Sequence, residues 1–474
     1  MVPPIAFRVQ KDLKTEAGAN VVRVRLVPGK ESALIRHDPP AGGVSRTLEV
    51  AIGGAKEDVT RRALVLLARK VISSAKAHSA TALLVPLSEF SFRRARLSER
   101  ELAELLAVQF ELANFEFIKY KTPPEEGWKM ITDVAVMGRV SKDTERGIWR
   151  GQVIAAEVNA CRTLANTPGG DMTPALLAQE ARNAVKDLPV DVTVLDKAKM
   201  EQLGMGGVLG VSRGSVEPPQ FIIMKYEGSR RQTERPVVLV GKGVTFDTGG
   251  LNLKPSEAIY EMHMDMSGGA AVIHAVALAA RLGVRRNVIG LVPAVENMPS
   301  GTSYRPGDLL RSLSGKTIEV LNTDAEGRII LADAITYAKR YNPAFVVDVA
   351  TLTGAAMAAL GQRCSAIFTE DQKLERNLKR FGEESGDYVW PLPLWDEYEE
   401  EIKGTFGDIA NVGKTRYGGA ITAAKFLHVF AKELECPWAH IDIAPRMTSI
   451  EGEYLAKGAT GVPVRLLLKV LENT

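Results

Sequence analysis

The sequence predicts an α/β protein of two domains, a small N-terminal α/β domain and a larger C-terminal one with a mixed, mostly parallel central sheet. Three observations predict it. The chain has 474 residues, whereas one hydrophobic core stops growing at roughly 250–300 residues. Short apolar runs alternate with helical patterns along most of its length, as in layered α/β folds. Beyond residue 168 those runs are apolar throughout, the mark of strands covered on both faces.

In the first third, residues 21–27, 48–52, 82–86 and 133–137 read as strands, and 58–77 and 98–110 as amphipathic helices. A charged, Ala-containing stretch from Lys142 to about Thr167 has no Gly or Pro after Gly151 and reads as a helix that Pro168-Gly169-Gly170 ends. The domain division is placed on it: 1–145 as the first domain, 146–168 as a connecting helix, 169–474 as the second domain. There, strands are expected at 192–195, 221–226, 237–240, 288–292, 317–321, 345–352, 366–369 and 441–444, with helices such as 269–282 and 329–341 between them. No internal repeat or low-complexity segment interrupts the pattern.

Composition excludes several classes. With 45% hydrophobic and 25% charged residues, both cores can form without disulfide staples. Lys and Arg number 60 against 57 Asp and Glu, and the +3 balance supplies no field that gathers nucleic acid or anionic lipid. Cys161, Cys364 and Cys436 form no Cys-x-x-Cys pair, which argues against a disulfide framework or a thiolate zinc site and fits a reducing compartment. The N-terminus lacks the charged-then-apolar pattern of a signal peptide, and no apolar run nears the ~20 residues of a membrane span. A cytoplasmic protein with no membrane partner is expected.

Two polar clusters carry the candidate chemistry. The first starts where the strand at 237–240 ends, Gly241-Lys242-Gly243-Val244-Thr245-Phe246-Asp247-Thr248-Gly249-Gly250, and continues through Lys254 to Met262-His263-Met264-Asp265. The second is Asn322-Thr323-Asp324-Ala325-Glu326-Gly327-Arg328, ahead of a helix expected to open at Ile329. In an extended loop, the alternate spacing of Asp324, Glu326 and Arg328 points all three to one side. Carboxylates converging at a strand edge, here Asp247, Asp265, Asp324 and Glu326, repel one another unless positive charge lies between them. Two divalent cations would balance them, and oxygen-rich ligation suits Mg, Mn or Zn. Ordinary surface salt bridges would not need Gly241, Gly243, Gly249, Gly250 and Gly327, which suggest backbone threaded close to another group.

Residues 322–328 match, letter for letter, the signature of the leucyl aminopeptidase (M17) family of cytosolic dinuclear metallopeptidases. The first cluster resembles that family's metal-binding stretch. Leu164-Ala165-Asn166-Thr167-Pro168 with Met172-Thr173-Pro174, and Gly418-Gly419-Ala420-Ile421-Thr422-Ala423-Ala424, extend the resemblance over about 164–468. The first domain agrees in size and α/β pattern and resembles a macro-like module.

The resemblance implies a catalytic metallopeptidase domain at 169–474 that releases N-terminal residues from short peptides and aminoacyl amides, within a homohexamer. Carried over by residue, it implies Asp247 and Glu326 bridging two divalent ions, Mn or Zn foremost, with Mg or Co as other occupants. Lys242 and Asp265 complete the tighter site and Asp324 the exchangeable one. A water between ions about 3.5–4 Å apart is the implied nucleophile. Lys254 stabilises the oxyanion, while Arg328, with the main chain of Gly327 and Leu352, holds a bicarbonate that shuttles the proton. Met262, Thr351, Leu352, Gly354, Ala444 and Met447 fall on the substrate pocket, whose apolar, Met-lined character suits Leu or Met. Two departures touch that pocket: Pro445 stands where the family usually has glycine, and His263-Met264 replaces Lys-Tyr.

Two alternatives remain open, another two-metal hydrolase, and a DNA-binding role beside peptidase activity, although nucleic acid is the least expected partner. Asp247-Thr248-Gly249 matches the aspartic-protease tripeptide but occurs once, and that chemistry shares a proton between two carboxylates. Gly210-Val211-Ser212-Arg213-Gly214 fits a nucleophile elbow but precedes a strand. His274 and His440 read as core residues.

Overall fold

The computed structural model describes residues 3–10, 20–36, 45–138, 141–231 and 233–474. The chain divides into two compact units, Met1–Asn159 with Ser449–Lys457, and Ala160–Thr448 with Gly458–Thr474. The division falls inside one unbroken helix, Lys142–Asn166. Nothing in the sequence signals that residues 449–457 join the first unit.

The first unit holds a six-stranded sheet in the order Ala6–Gln10, Asp133–Met137, Ala82–Pro86, Val21–Val27, Arg46–Ala51, Ala33–Arg36. Every pair is parallel except the last. Val22, Val24 and Leu26 are buried while Arg23 and Arg25 between them are exposed, the period-2 alternation of a strand with one covered face. Helices Arg61–Ala77 and Glu99–Asn114 pack against each other. The second opens on a capping box, in which the Ser98 hydroxyl accepts from the Glu101 N–H and the Glu101 carboxylate accepts from the Ser98 N–H at 2.8 Å. The edge strands Ala6–Gln10 and Ala33–Arg36 escape sequence reading because they are short and largely uncovered.

The second unit is organised by a nine-stranded mixed sheet. Trp438–Asp442, Phe345–Ala350, Val237–Gly241 and Asn287–Asn297 run parallel, side by side. Antiparallel Ser365–Phe368 and Gln220–Glu227 flank them, and Val389–Pro391 and Val190–Leu195 form the outer edges. The first three of the parallel four are buried along their whole length, as expected of strands covered on both faces. Helices Ser267–Arg281 and Glu326–Ala338 both pack on these strands. Residues 243–247, part of the first polar cluster and not expected as a strand, form the ninth strand, parallel to the far end of Asn287–Asn297. A side chain at Gly243 would stand 2.7 Å from the Pro293 carbonyl, so the glycine permits close strand approach. Among the described residues no helix is long and apolar enough to cross a membrane.

One buried carboxyl gives the first unit a pH dependence. Glu111 accepts from the Ile5 N–H at 2.9 Å and from Gln152 Nε2 at 3.2 Å. Burial nonetheless pushes its pKa up to about 7, against the opposing effect of these bonds. The folded chain therefore holds this proton where the unfolded chain has released it, and stability falls as pH rises through that window. Glu111→Gln, neutral at every pH, is expected to remove roughly 2–3 kcal/mol of the loss between about pH 5 and pH 8, read by denaturant unfolding at each pH. An identical pH profile in the two proteins would refute the assignment.

Candidate metal centre

Four parallel strands point their carboxyl ends at one region. Val237–Gly241 leads into Lys242, Phe345–Ala350 into Thr351, Trp438–Asp442 towards Ala444, and the fourth strand ends at Asn297. Loops beyond such ends are where open α/β sheets place reactive groups. The turn at Lys242 is tight: its N–H donates to the Val349 carbonyl at 3.0 Å and its carbonyl accepts from Gly269 N–H at 2.7 Å. A Cβ on Gly241 would lie 2.5 Å from the Gly268 carbonyl oxygen.

Asp247, Asp265 and Glu326 are each at most 3% exposed, yet they offer oxygens within 4.8 Å of one another. Lys242 Nζ lies 2.8 Å from both Asp265 Oδ2 and Glu326 Oε1 and donates to the Thr351 carbonyl at 3.1 Å. Lys254 Nζ spans Asp247 Oδ2 at 2.8 Å and Asp324 Oδ1 at 2.5 Å, which ties Asp324 to the buried trio. The two clusters read from the sequence are therefore one site.

Their local geometry differs from the extended-loop expectation. Glu326 opens the helix Glu326–Ala338 and Arg328 lies in its first turn, while Asp324 sits in the turn before it. An acidic first residue suits the positive end of a helix. Gly327 is required by packing, since a Cβ there would stand 2.6 Å from Lys242 Cε.

Burial pushes the Asp265, Asp324 and Glu326 carboxyls above their usual range, with neighbouring carboxylates adding to the effect and the lysines opposing it. For Lys242 and Lys254 burial works downward, but the surrounding carboxylates outweigh it and hold both ammonium groups up. Arg328 is brought down to about 10 by burial, against the pull of Glu326, Asp442 and Asp324. Four carboxylates thus face two ammonium ions. Apart from these ion pairs, both Glu326 oxygens, Asp265 Oδ2 and Asp324 Oδ1 have no hydrogen-bond partner. Of these oxygens, only Glu326 Oε2 has neither a hydrogen bond nor an ion pair, and buried hard oxygen donors that outnumber the cations facing them fit divalent metal ions.

Sequence reasoning missed the side chains that hold this site. Asn297 Nδ2 donates to Asp247 Oδ1 at 2.8 Å and to the Thr323 carbonyl at 2.9 Å, joining the two clusters directly. The Thr323 hydroxyl donates to the Gly249 carbonyl at 2.6 Å, and Tyr304 donates to the Thr323 carbonyl at 2.6 Å. Asn411 accepts from Leu321 N–H at 2.8 Å and donates to the Asn322 carbonyl at 2.6 Å, while its own carbonyl takes Arg328 Nη1 at 2.7 Å. Thr323 lies inside the second cluster, but only its ionisable neighbours carried a signal; Asn297, Tyr304 and Asn411 sit in no glycine-rich or charged motif.

The expected pocket residues are placed as follows. Thr351 donates its hydroxyl to Asp265 Oδ1 at 2.7 Å. Leu352 and Ala444 each donate their N–H to Asp442 Oδ1 at 3.1 Å. Gly354 opens the helix Gly354–Leu360, with empty space where a Cβ would be. Met262 begins the short turn that ends at Asp265, and Met447 follows the turn Ala444–Arg446; both are half-buried. Of the atoms expected to hold an anion, Leu352 N–H already serves Asp442 and Arg328 Nη1 serves Asn411, whereas Arg328 Nε has no partner. His440 pairs with Asp348 at 2.5 Å inside the sheet, and Ser212 donates to the Leu209 carbonyl, away from any nucleophile geometry.

Residues 159–468 match the model described as the cytosol aminopeptidase family, catalytic domain, and residues 12–124 match that family's N-terminal domain. The chain is 43% identical to the probable cytosol aminopeptidase of Azoarcus sp. (strain BH72), over 99% of this chain and 93% of that protein. It is 42% identical to the probable cytosol aminopeptidase of Aromatoleum aromaticum, over 98% and 92%. Among solved structures it is similar to the bottromycin maturation enzyme BotP in complex with Mn, with a TM-score of 0.85 and 32% identity over 96% of this chain and 99% of that one.

The donor set has a stability consequence. Chelator-treated protein is expected to melt higher on adding Mn or Zn, by an amount equivalent to about 2.7 kcal/mol at a hundredfold excess over the dissociation constant. Glu326→Gln, which replaces one of the two Glu326 oxygens with an amide and removes its charge at nearly constant shape, should abolish most of that rise in scanning calorimetry. An unshifted wild-type melt with saturating metal would rule out a metal centre here.

Proposed function

The chain belongs to the cytosol aminopeptidase family, and from that premise we propose a two-metal aminopeptidase that removes apolar N-terminal residues, Leu and Met foremost, from short peptides. Membership makes the protein a peptidase hydrolase. The observation that carries the finer reading is the buried set Asp247, Asp265 and Glu326 with Asp324 beside it, held by two lysines at the carboxyl ends of parallel strands. Asp247, Glu326, Asp265, Asp324 and Lys242 would together hold the ions. Mn or Zn is the proposed occupant, in keeping with the Mn complex of the similar BotP. Two such ions supply an activated water and a Lewis acid for the scissile carbonyl.

The remaining work falls to the chain's own groups. Lys242 is a cation in the geometry described, pinned by carboxylates. With divalent charge shared among those carboxylates, burial would dominate and leave a neutral amine able to act as ligand. Lys254, freed from Asp247 and Asp324, would face the oxyanion that forms at the carbonyl. Arg328 Nε, buried and unpartnered, would orient a bicarbonate, with Gly327 and Leu352 main chain beside it, for proton transfer. Open space at Gly354 and the half-buried Met262, Ala444 and Met447 would receive an apolar side chain, with Thr351 at the cluster end. A cytoplasmic homohexamer is part of the proposal, sized by sedimentation of the active protein.

Leu- and Met-amides are expected to be hydrolysed at least about tenfold faster in kcat/KM than Glu- or Asp-amides, because none of these pocket residues offers a cation to a carboxylate. Steady-state assays after metal reconstitution measure this, and faster cleavage of acidic amides would sink the specificity claim. The lysines should also fail differently. Lys242→Arg is expected to lose one of two ions in calorimetric titration, since a guanidinium does not deprotonate to become a ligand. Lys254→Arg should bind both and lose kcat, by roughly 2.7–4 kcal/mol in barrier height if it acts as an oxyanion donor. Two ions bound with unchanged affinity in both variants would remove Lys242 from the ligand set.

A further inference from the structure

Strands Phe345–Ala350 and Trp438–Asp442 run parallel until Ala350 faces Asp442, and one more main-chain bond, Ile443 N–H to the Ala350 carbonyl at 2.8 Å, closes the ladder. Beyond it the two segments part. Residues 351–353 lead into the helix Gly354–Leu360, and the other chain enters the turn Ala444–Arg446. At this fork a single carboxylate takes the place of the ladder. Asp442, 0% exposed, accepts the Leu352 N–H and the Ala444 N–H on Oδ1, both at 3.1 Å, and the Thr353 hydroxyl on Oδ2 at 2.7 Å. Thr353 Oγ1 in turn accepts from Ala356 N–H at 3.0 Å and so fixes where the helix starts.

The same loop is tied at its other end to the carboxylate cluster, through the Thr351 hydroxyl on Asp265 and the Thr351 carbonyl under Lys242. Leu352 and Ala444 beside these anchors are partly exposed, and Gly354 is exposed with open space where a Cβ would be. A buried carboxylate ordinarily sits against a cation. Asp442 makes no direct ion pair with Arg328, whose charge it only supports at a distance; its Oδ1 accepts from the N–H groups of two diverging segments and its Oδ2 from the Thr353 hydroxyl, which serves geometry.

We propose that Asp442 is a positioning residue that sets the width of the substrate cleft, by holding Leu352, Thr353 and Ala444 at fixed spacing beside the carboxylate cluster. This rests on the aminopeptidase reading, and it assigns side-chain selectivity to a residue that does not itself touch substrate. Displacement of a pocket wall by about 1 Å is enough to degrade orientation of a bound group. Asparagine can reproduce the three bonds, because its carbonyl oxygen can accept both N–H groups and its amide can donate to Thr353 Oγ1. Alanine can reproduce none.

The experiment compares kcat/KM for Leu-amide and Ala-amide, together with Mn stoichiometry, in metal-loaded wild-type, Asp442→Ala and Asp442→Asn proteins. The Leu-to-Ala ratio is expected to fall at least about fivefold in Asp442→Ala and to stay within about twofold of wild type in Asp442→Asn, with equal Mn bound in all three. A purely structural role would lower both substrates together, and an unchanged ratio in Asp442→Ala overturns the proposal. Loss of the ratio in Asp442→Asn as large as in Asp442→Ala also overturns it, because charge and not spacing would then be at work. Should the alanine variant not fold, Thr353→Val, which deletes one of the three ties, is expected to lower the ratio in the same direction, and an unchanged ratio there rejects the idea. Wild-type protein that hydrolyses neither amide reports on the functional reading instead, so the two failures are distinct.

Discussion

Carboxylates packed within 4.8 Å of one another in a place water barely reaches set the terms for the rest of the second unit. Such a group is tolerable only with positive charge among its members. Lys242 and Lys254 provide part of that charge, and each needs room for its stem. Gly327 exists where it does because the Lys242 side chain passes over it. Gly241, the residue before Lys242, lies against the Gly268 carbonyl, where no side chain would fit. The buried sheet with its apolar strands is the platform that lets these charges be held at fixed separations.

A ring of neutral side chains completes the arrangement. Asn297, Thr323, Tyr304 and Asn411 bond chiefly to main-chain atoms and thereby lock loops that come from distant parts of the sequence. An amide or hydroxyl suits this task because it can satisfy a buried carbonyl or N–H without adding charge to a site already crowded with it. Outer-layer partners of this kind decide how exactly a reactive group is held.

Much of this was legible beforehand, and the boundary is instructive. Lys242, Asp247, Asp265, Asp324, Glu326 and Arg328 could be read because ionisable residues cluster among glycines at the ends of apolar runs, a pattern with few structural uses. The alternation of strands and helices was legible for the same reason that the sheet is buried: its strands are apolar on both faces. The local conformation at Glu326 was not, since alternate spacing fits an extended loop as well as a helix start, and only packing decides between them. Asn297, Asn411 and Asp442 were invisible because their partners are backbone atoms, which leave no trace in the letters. The short edge strands were lost for want of a covered face.

The late segment Ser449–Lys457 belongs to the first compact unit although almost the whole second unit separates it in sequence. During synthesis a chain emerges from its amino end, and early domains generally finish folding first. Here the amino-terminal unit lacks one of its pieces until residues 160–448 have been made. Its final contacts therefore form only after most of the second unit exists, so the two units cannot finish folding strictly one after the other.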